Sequence, residues 1–176
     1  MTKLLFILLV GFITDKPAVI VKYSNINHNK AHIAYNRSNK LKWTDFKVDN
    51  KKRAEAALTS TEISYTINNI DDVMQIDVTC KFDKNNSILV KGNKNDYILN
   101  HEQRHFDISY LFAMKFIRTL QNEPNLTIDK VGVIYDNIYN EWDAYQDKYD
   151  KETSNSVSKA NQAFWDKKID EQLDNL

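Results

Sequence analysis

YILNHEQRHFDISYLFAMKFIRTLQ, residues 97–121, is the stretch on which this chain turns. It contains no Gly or Pro. Its apolar residues recur at Ile98, Phe106, Ile108, Leu111, Phe112, Phe116, Ile117 and Leu120, which is the period of a helix. Pro124 closes it. Inside it, residues 101–105 read His-Glu-Gln-Arg-His. Positions i and i+4 of a helix lie on one face, one turn apart. Two imidazoles at that spacing can close on one zinc ion, and the intervening Glu can reach a metal-bound water instead of the metal. His101 and His105 are therefore the candidate zinc ligands, and Glu102 the candidate general base.

Two further helices follow. Thr127–Thr153 carries Val131, Ile134, Tyr135, Ile138, Trp142, Tyr145 and Tyr149 on one face, and Ser158–Leu173 carries Ala160, Phe164, Trp165, Ile169 and Leu173. Upstream the pattern is that of strands. Pro17–Tyr23, Leu41–Val48, Leu58–Ile67, Val73–Phe82 and Ser87–Val90 are short β-type runs with polar punctuation between them. The Asn- and Lys-rich tract 25–39 reads as a loop. The expected class is α+β: an antiparallel, strand-rich N-terminal half packed on C-terminal helices, with a zincin-like active-site helix. Residues 17–176 form one domain in this reading.

Composition narrows the function. The chain has 176 residues, with 24 Lys plus Arg against 24 Asp plus Glu. That balance argues against a nucleic-acid binder working through a basic surface. Three Gly exclude Gly-rich phosphate loops, and the single Cys80 excludes a disulfide framework or a multi-Cys metal site. The charge is segregated all the same: residues 121–176 hold 12 acids and 6 bases. His28 and His32 repeat the four-residue spacing in a poorly periodic tract and read as surface residues. Residues 1–16 read as a signal peptide, with Lys3 ahead of the apolar run Leu4–Ile13. That run is too short to span a bilayer, which takes about 20 residues. The expected location is the periplasm or the extracellular space.

The segment around HEQRHFDI resembles a bacterial family known as domain of unknown function 922. Supporting matches are Leu41–Phe46 (LKWTDF), Ala57–Tyr65, Tyr149–Thr153 (YDKET), Gln162 and Trp165, so that the resemblance spans about residues 40–173. It implies an exported zinc-dependent peptidase acting on a peptide or protein substrate. Relatives often carry a His where Asn155 stands, and a Glu where Tyr110 stands.

A catalytic zinc needs a third protein ligand. On a wheel of 100° per residue centred on Ile138, Val131, Trp142, Tyr145 and Tyr149 fall within about 40° of the centre. Glu141 falls at about 60° and Glu152 at about 40°, flanking the buried face, whereas Asp143, Asp147 and Asp150 fall on the solvent side. The angle favours Glu141 as third ligand; the resemblance favours Asp150. Asn155, Glu152 or no ligand are the remaining options. Asp107 can orient an imidazole from behind but reads rather as solvent-facing, as does Arg104; Tyr145 or Tyr149 can stabilise an oxyanion but read rather as core, and Trp43, Trp142 and Trp165 read as core anchors. The leading expectation is a zinc-dependent metallopeptidase. The alternative is a non-catalytic exported binding or structural protein that keeps the helix but has lost a ligand. A weaker option is a protein in which zinc only stabilises the fold.

Overall fold

The computed structural model describes residues 18–25, 30–51 and 53–176. The signal-peptide segment and His28 lie outside the described residues. The strands are β1 (Val19–Tyr23), β2 (His32–Ala34), β3 (Lys47–Asp49), β4 (Ala57–Leu58), β5 (Thr61–Ile70), β6 (Val73–Asp83) and β7 (Ile88–Val90). Three helices follow: α1 (Asp96–Asn122), α2 (Ile128–Thr153) and α3 (Lys159–Asp174). The class is α+β, with strands in the N-terminal half and helices in the C-terminal half.

The strand β6 organises the larger sheet. Its alternate residues Met74, Ile76, Val78, Cys80 and Phe82 are all buried, as a strand with one face on a core requires. Strand β5 runs antiparallel along it, with Ile63 opposite Cys80 and Ile67 opposite Ile76. Asp71 and Asp72 connect the two with positive φ of 50° and 62°, the conformation of a two-residue hairpin turn. Strands β1 and β2 pair with β6 as well, β1 in parallel and β2 antiparallel. The smaller sheet has the order β3-β7-β4, with β3 parallel and β4 antiparallel to β7.

Both sheets are thus mixed, which corrects the expectation of an antiparallel half. Alternation shows which face of a strand is buried; it does not show the direction of its neighbour. The tract read as a loop supplies β2, where a half-buried His32 stands opposite Asp83. The run 87–90 becomes the middle strand of the smaller sheet, so its edges are already paired.

Helix α1 lies across the larger sheet and presses Phe106, Ile108, Phe112, Ala113, Phe116, Ile117 and Leu120 into the core. Asn95 caps its start by accepting a hydrogen bond from the Ile98 N–H at 2.9 Å. Helices α2 and α3 cover the far side of α1, with Tyr149, Trp165, Ile169 and Leu173 buried between them. Of the three tryptophans, Trp43 and Trp165 are buried and Trp142 is half-buried. Among the described residues no helix is long and apolar enough to cross a membrane.

Candidate metal centre

The first half of α1 is unusual for a helix this deep. His101, Glu102, Gln103, Arg104, Asp107 and Ser109 are all buried polar residues. Such groups persist in a core when each has a partner.

His101 and His105 stand one turn apart, with their Nε2 atoms 3.3 Å from each other. Asp150 of α2 brings its Oδ1 to 3.1 Å from the first and 3.0 Å from the second. These three atoms form a nearly equilateral triangle. Ligand atoms about 2.05 Å from a tetrahedral ion lie roughly 3.3 Å apart, so the triangle is close to the size of one tetrahedral face. A donor set of two imidazoles and one carboxylate suits zinc in kind as well as in size.

The other ring nitrogens are held by amides. His101 Nδ1 is 2.9 Å from Gln162 Oε1, and His105 Nδ1 is 2.7 Å from Gln146 Oε1. The orientation of each amide follows from its remaining partners. Gln146 Nε2 donates to the His105 carbonyl at 3.0 Å, and a carbonyl can only accept. Gln162 Nε2 donates to Asp166 at 2.9 Å and to the Tyr149 hydroxyl at 2.7 Å. Both amide oxygens therefore face the imidazoles. Each Nδ1 must carry a proton, which leaves each Nε2 to face Asp150. This is the arrangement that outer hydrogen bonds impose on metal-binding histidines.

Electrostatics reinforce the triangle. Burial opposes ionisation of Asp150, but hydrogen bonds from His101 and His105 hold its carboxyl well below the usual carboxylate range. Burial likewise opposes charge on His105, but the hydrogen bond and charge of Asp150, helped by Glu102, raise its pKa to about 9. The carboxylate is thus balanced by a proton on His105.

Glu102 is 3% exposed, and its Oε2 has no hydrogen-bond partner. It lines a cleft of about 430 Å³ together with the two histidines and Asp150. One wall of that cleft is the segment 55–61, which includes β4. The Thr59 hydroxyl donates to the Glu102 carbonyl at 3.2 Å and ties this wall to the helix. The other wall is α2 from Trp142 to Asp150, continued by Asn155 and Ser156. Ser154, Asn155 and Ser156 all have left-handed φ (53°, 48° and 69°), and this turn ends α2 beside the site.

Glu141 is not brought to the histidines. It is exposed and pairs with Lys115 of α1 at a separate groove. The angular argument fails for a physical reason. Helix α2 packs on two neighbours, and by its C-terminal half the inner arc runs from Tyr145 and Tyr149, facing α3, to Gln146 and Asp150, facing α1. Asp150 sits only about 100° on from the fully buried Tyr149. The side read as solvent is the side that faces the cleft. Glu152 is also elsewhere, accepting a hydrogen bond from Trp165 Nε1 at 2.9 Å.

Arg104 and Asp107 are corrected too. Both are buried, and neither touches an imidazole. The Arg104 guanidinium donates to Asp107 at 3.1 Å, Asp166 at 3.0 Å and Asp170 at 2.6 Å, pinning α1 to α3. Asp107 also accepts from the Tyr35 hydroxyl at 3.0 Å and from Gln103 Nε2 at 2.8 Å. Asp166 joins this network to Gln162, and hence to His101. The i, i+3 spacing of Arg104 and Asp107 was the available signal for it. Tyr149 is core, as read, and stacks on the His101 ring at 4.7 Å. Its hydroxyl reaches the His101 carbonyl and accepts from Gln162, and burial raises its pKa, so it remains a neutral group.

Comparison with known families supplies the remaining fact. Residues 22–158 match the family model described as bacterial protein of unknown function (DUF922). The chain belongs to that family. The match takes in β5, β6, α1 and α2, so His101, Glu102, His105 and Asp150 all fall inside the DUF922 region. Gln162 and Asp166 lie beyond its end. No curated protein and no solved structure matches this DUF922 chain.

Proposed function

We propose that this DUF922 chain is an exported zinc-dependent metallopeptidase that hydrolyses peptide bonds. The observation that carries the reading is the triangle of His101 Nε2, His105 Nε2 and Asp150 Oδ1, set beside the unpartnered buried oxygen of Glu102. In this reading His101, His105 and Asp150 hold Zn²⁺. When bound, zinc supplies Lewis acidity, polarising a carbonyl and bringing the pKa of a bound water to about 7.

The chain's own residues do the rest. Glu102 takes the proton of the attacking water on its carboxylate and returns it to the departing amine. Gln146 and Gln162 hold the imidazoles in one tautomer, so that neither ring reorients during turnover. The cleft wall formed by residues 55–61 includes β4, whose outer edge no strand pairs among the described residues, and an extended peptide can lie along it. Export rests on the N-terminal sequence alone, Lys3 followed by Leu4–Ile13. Asn155 also lines the cleft, and in this reading His101, His105 and Asp150 supply three ligand atoms without it.

The test is hydrolysis of a peptide library by the zinc-loaded protein and by its Glu102→Gln variant. The variant should keep its zinc and lose at least about a hundredfold in rate, the usual contribution of a positioned general base. Undiminished hydrolysis in Glu102→Gln defeats the mechanism. Zinc binding with no hydrolysis of any peptide favours the non-catalytic binding protein instead.

A further inference from the structure

The negative charge of the cleft extends beyond the residues that would meet a metal. Five carboxylates line it (Glu55, Glu102, Asp143, Asp147 and Asp150), and among the described residues no Lys or Arg does. The whole chain has equal numbers of acids and bases, and three of the five come from the acid-rich segment 121–176. A divalent ion at the histidines is matched in charge by Asp150 and Glu102. Glu55, Asp143 and Asp147 are then left without a countercharge. All three are exposed, and none makes an ion pair or a side-chain hydrogen bond among the described residues. Lys148, next to Asp147, turns instead toward Glu152 at 3.8 Å.

Asp143, Asp147 and Asp150 occupy successive turns on one side of α2, and all three line the cleft. Like charges one turn apart repel and weaken a helix. A second observation also points to a ligand here: Glu102, more than nine-tenths buried, lines the same cleft and has an oxygen without a hydrogen-bond partner. The walls are also apolar where a side-chain stem would lie. Leu58 is 44% exposed on one side, and Trp142 is half-buried on the other. Lys and Arg lay their methylene stems on apolar surface while the charged head reaches a polar partner. A cleft with low-dielectric walls and one sign of charge concentrates the field on such a cation.

We propose that the cleft selects peptides carrying a lysine or arginine side chain beside the bond to be cleaved. Asp143 and Asp147 receive the cationic head, and Glu55 adds to the field from the opposite wall. The phrase "bond to be cleaved" rests on the peptidase reading; the selection of a basic peptide does not.

The experiment separates the two. Zinc-loaded Glu102→Gln protein is titrated, at low and at high salt, with labelled peptides that differ only in a central Lys, Arg, Leu or Glu. Binding should be about tenfold tighter for Lys and Arg than for Leu, and weakest for Glu. The preference should shrink at high salt and disappear in the added double variant Asp143→Asn/Asp147→Asn. Equal affinity for all four peptides overturns the inference, as does a preference that survives the double variant. A second bound zinc that the double variant loses also overturns it, because the acids would then be serving an ion. The salt series alone decides the matter if the double variant does not fold. Tight basic-peptide binding without hydrolysis by the wild type defeats the peptidase reading and leaves this inference standing.

Discussion

Replacing Asp150 by Asn should give a loss of zinc affinity that depends strongly on pH. Two effects oppose each other. A closed four-ligand zinc site is worth about 10–16 kcal/mol, so one ligand carries about 3 kcal/mol, or roughly 150-fold in affinity. Asn keeps an oxygen but loses the anion. Against this, Asp150 is also what raises the His105 pKa to about 9. Zinc must displace that proton, which weakens wild-type binding by about a hundredfold at pH 7 and about twofold at pH 9. Without the anion His105 moves back toward its ordinary value of 6.5, and the proton scarcely competes. The net loss in Asp150→Asn is then about twofold at pH 7 and approaches a hundredfold at pH 9. Competition against a chelator of known affinity, at both pH values, measures it. Glu141→Gln runs alongside and should change nothing at either pH, because Glu141 pairs with Lys115 away from the site. An equal loss in Asp150→Asn at both pH values refutes the proton account. A loss in Glu141→Gln with none in Asp150→Asn refutes the ligand assignment.

Other expectations follow from the same contacts. In chelator-treated protein the raised His105 pKa stabilises the fold by at most about 3 kcal/mol. That term is fully present below about pH 6.5 and is lost as pH rises through about 9, so urea melts of the metal-free protein should show stability falling across that window. In zinc-loaded protein the tightening of zinc binding over the same range offsets that loss, so its stability should stay nearly flat across the window. Gln162→Leu removes the acceptor that fixes the His101 tautomer, and zinc affinity measured by chelator competition should fall by about 10–100-fold. Arg104→Met takes the guanidinium from Asp107, Asp166 and Asp170 and leaves only Lys40, at 3.7 Å, as a cation beside the buried Asp107, and chemical denaturation should show a loss of about 3 kcal/mol. Phe116→Ala, in the fully buried core beneath α1, should cost about 3–5 kcal/mol with little effect on zinc affinity.

The sequence made most local elements legible because each carries its own period, but the run 41–48 read as a strand holds a 3-10 turn at Trp43–Asp45 and only the start of β3. The helical stretch 97–121 is the α1 of the structure to within a residue at each end, and β6 buries every second residue from Met74 to Phe82 as its alternation required. Strand direction and sheet order were not legible, because pairing joins residues far apart in the chain: β1 meets β6 across more than fifty residues. The site divides the same way. His101, Glu102 and His105 are set by one helical turn and could be read directly. Asp150 is set by how α2 crosses α1, and a wheel centred on Ile138 describes only the first half of that helix. Arg104 and Asp107 were misread for a related reason. A charged residue in mid-helix normally faces water, and only the arrival of Asp166 and Asp170 from α3 makes its burial tolerable. Gln146 and Gln162 carry no charge and no motif, so only the folded packing reveals what they hold.

The most direct test of the central claim is a crystal structure of the zinc-soaked protein with anomalous diffraction measured at the zinc absorption edge. The account predicts one strong anomalous peak per chain, about 2.0–2.2 Å from His101 Nε2, His105 Nε2 and an Asp150 oxygen, with Glu102 alongside and unligated. A peak elsewhere, or none at that triangle under zinc saturation, would contradict it.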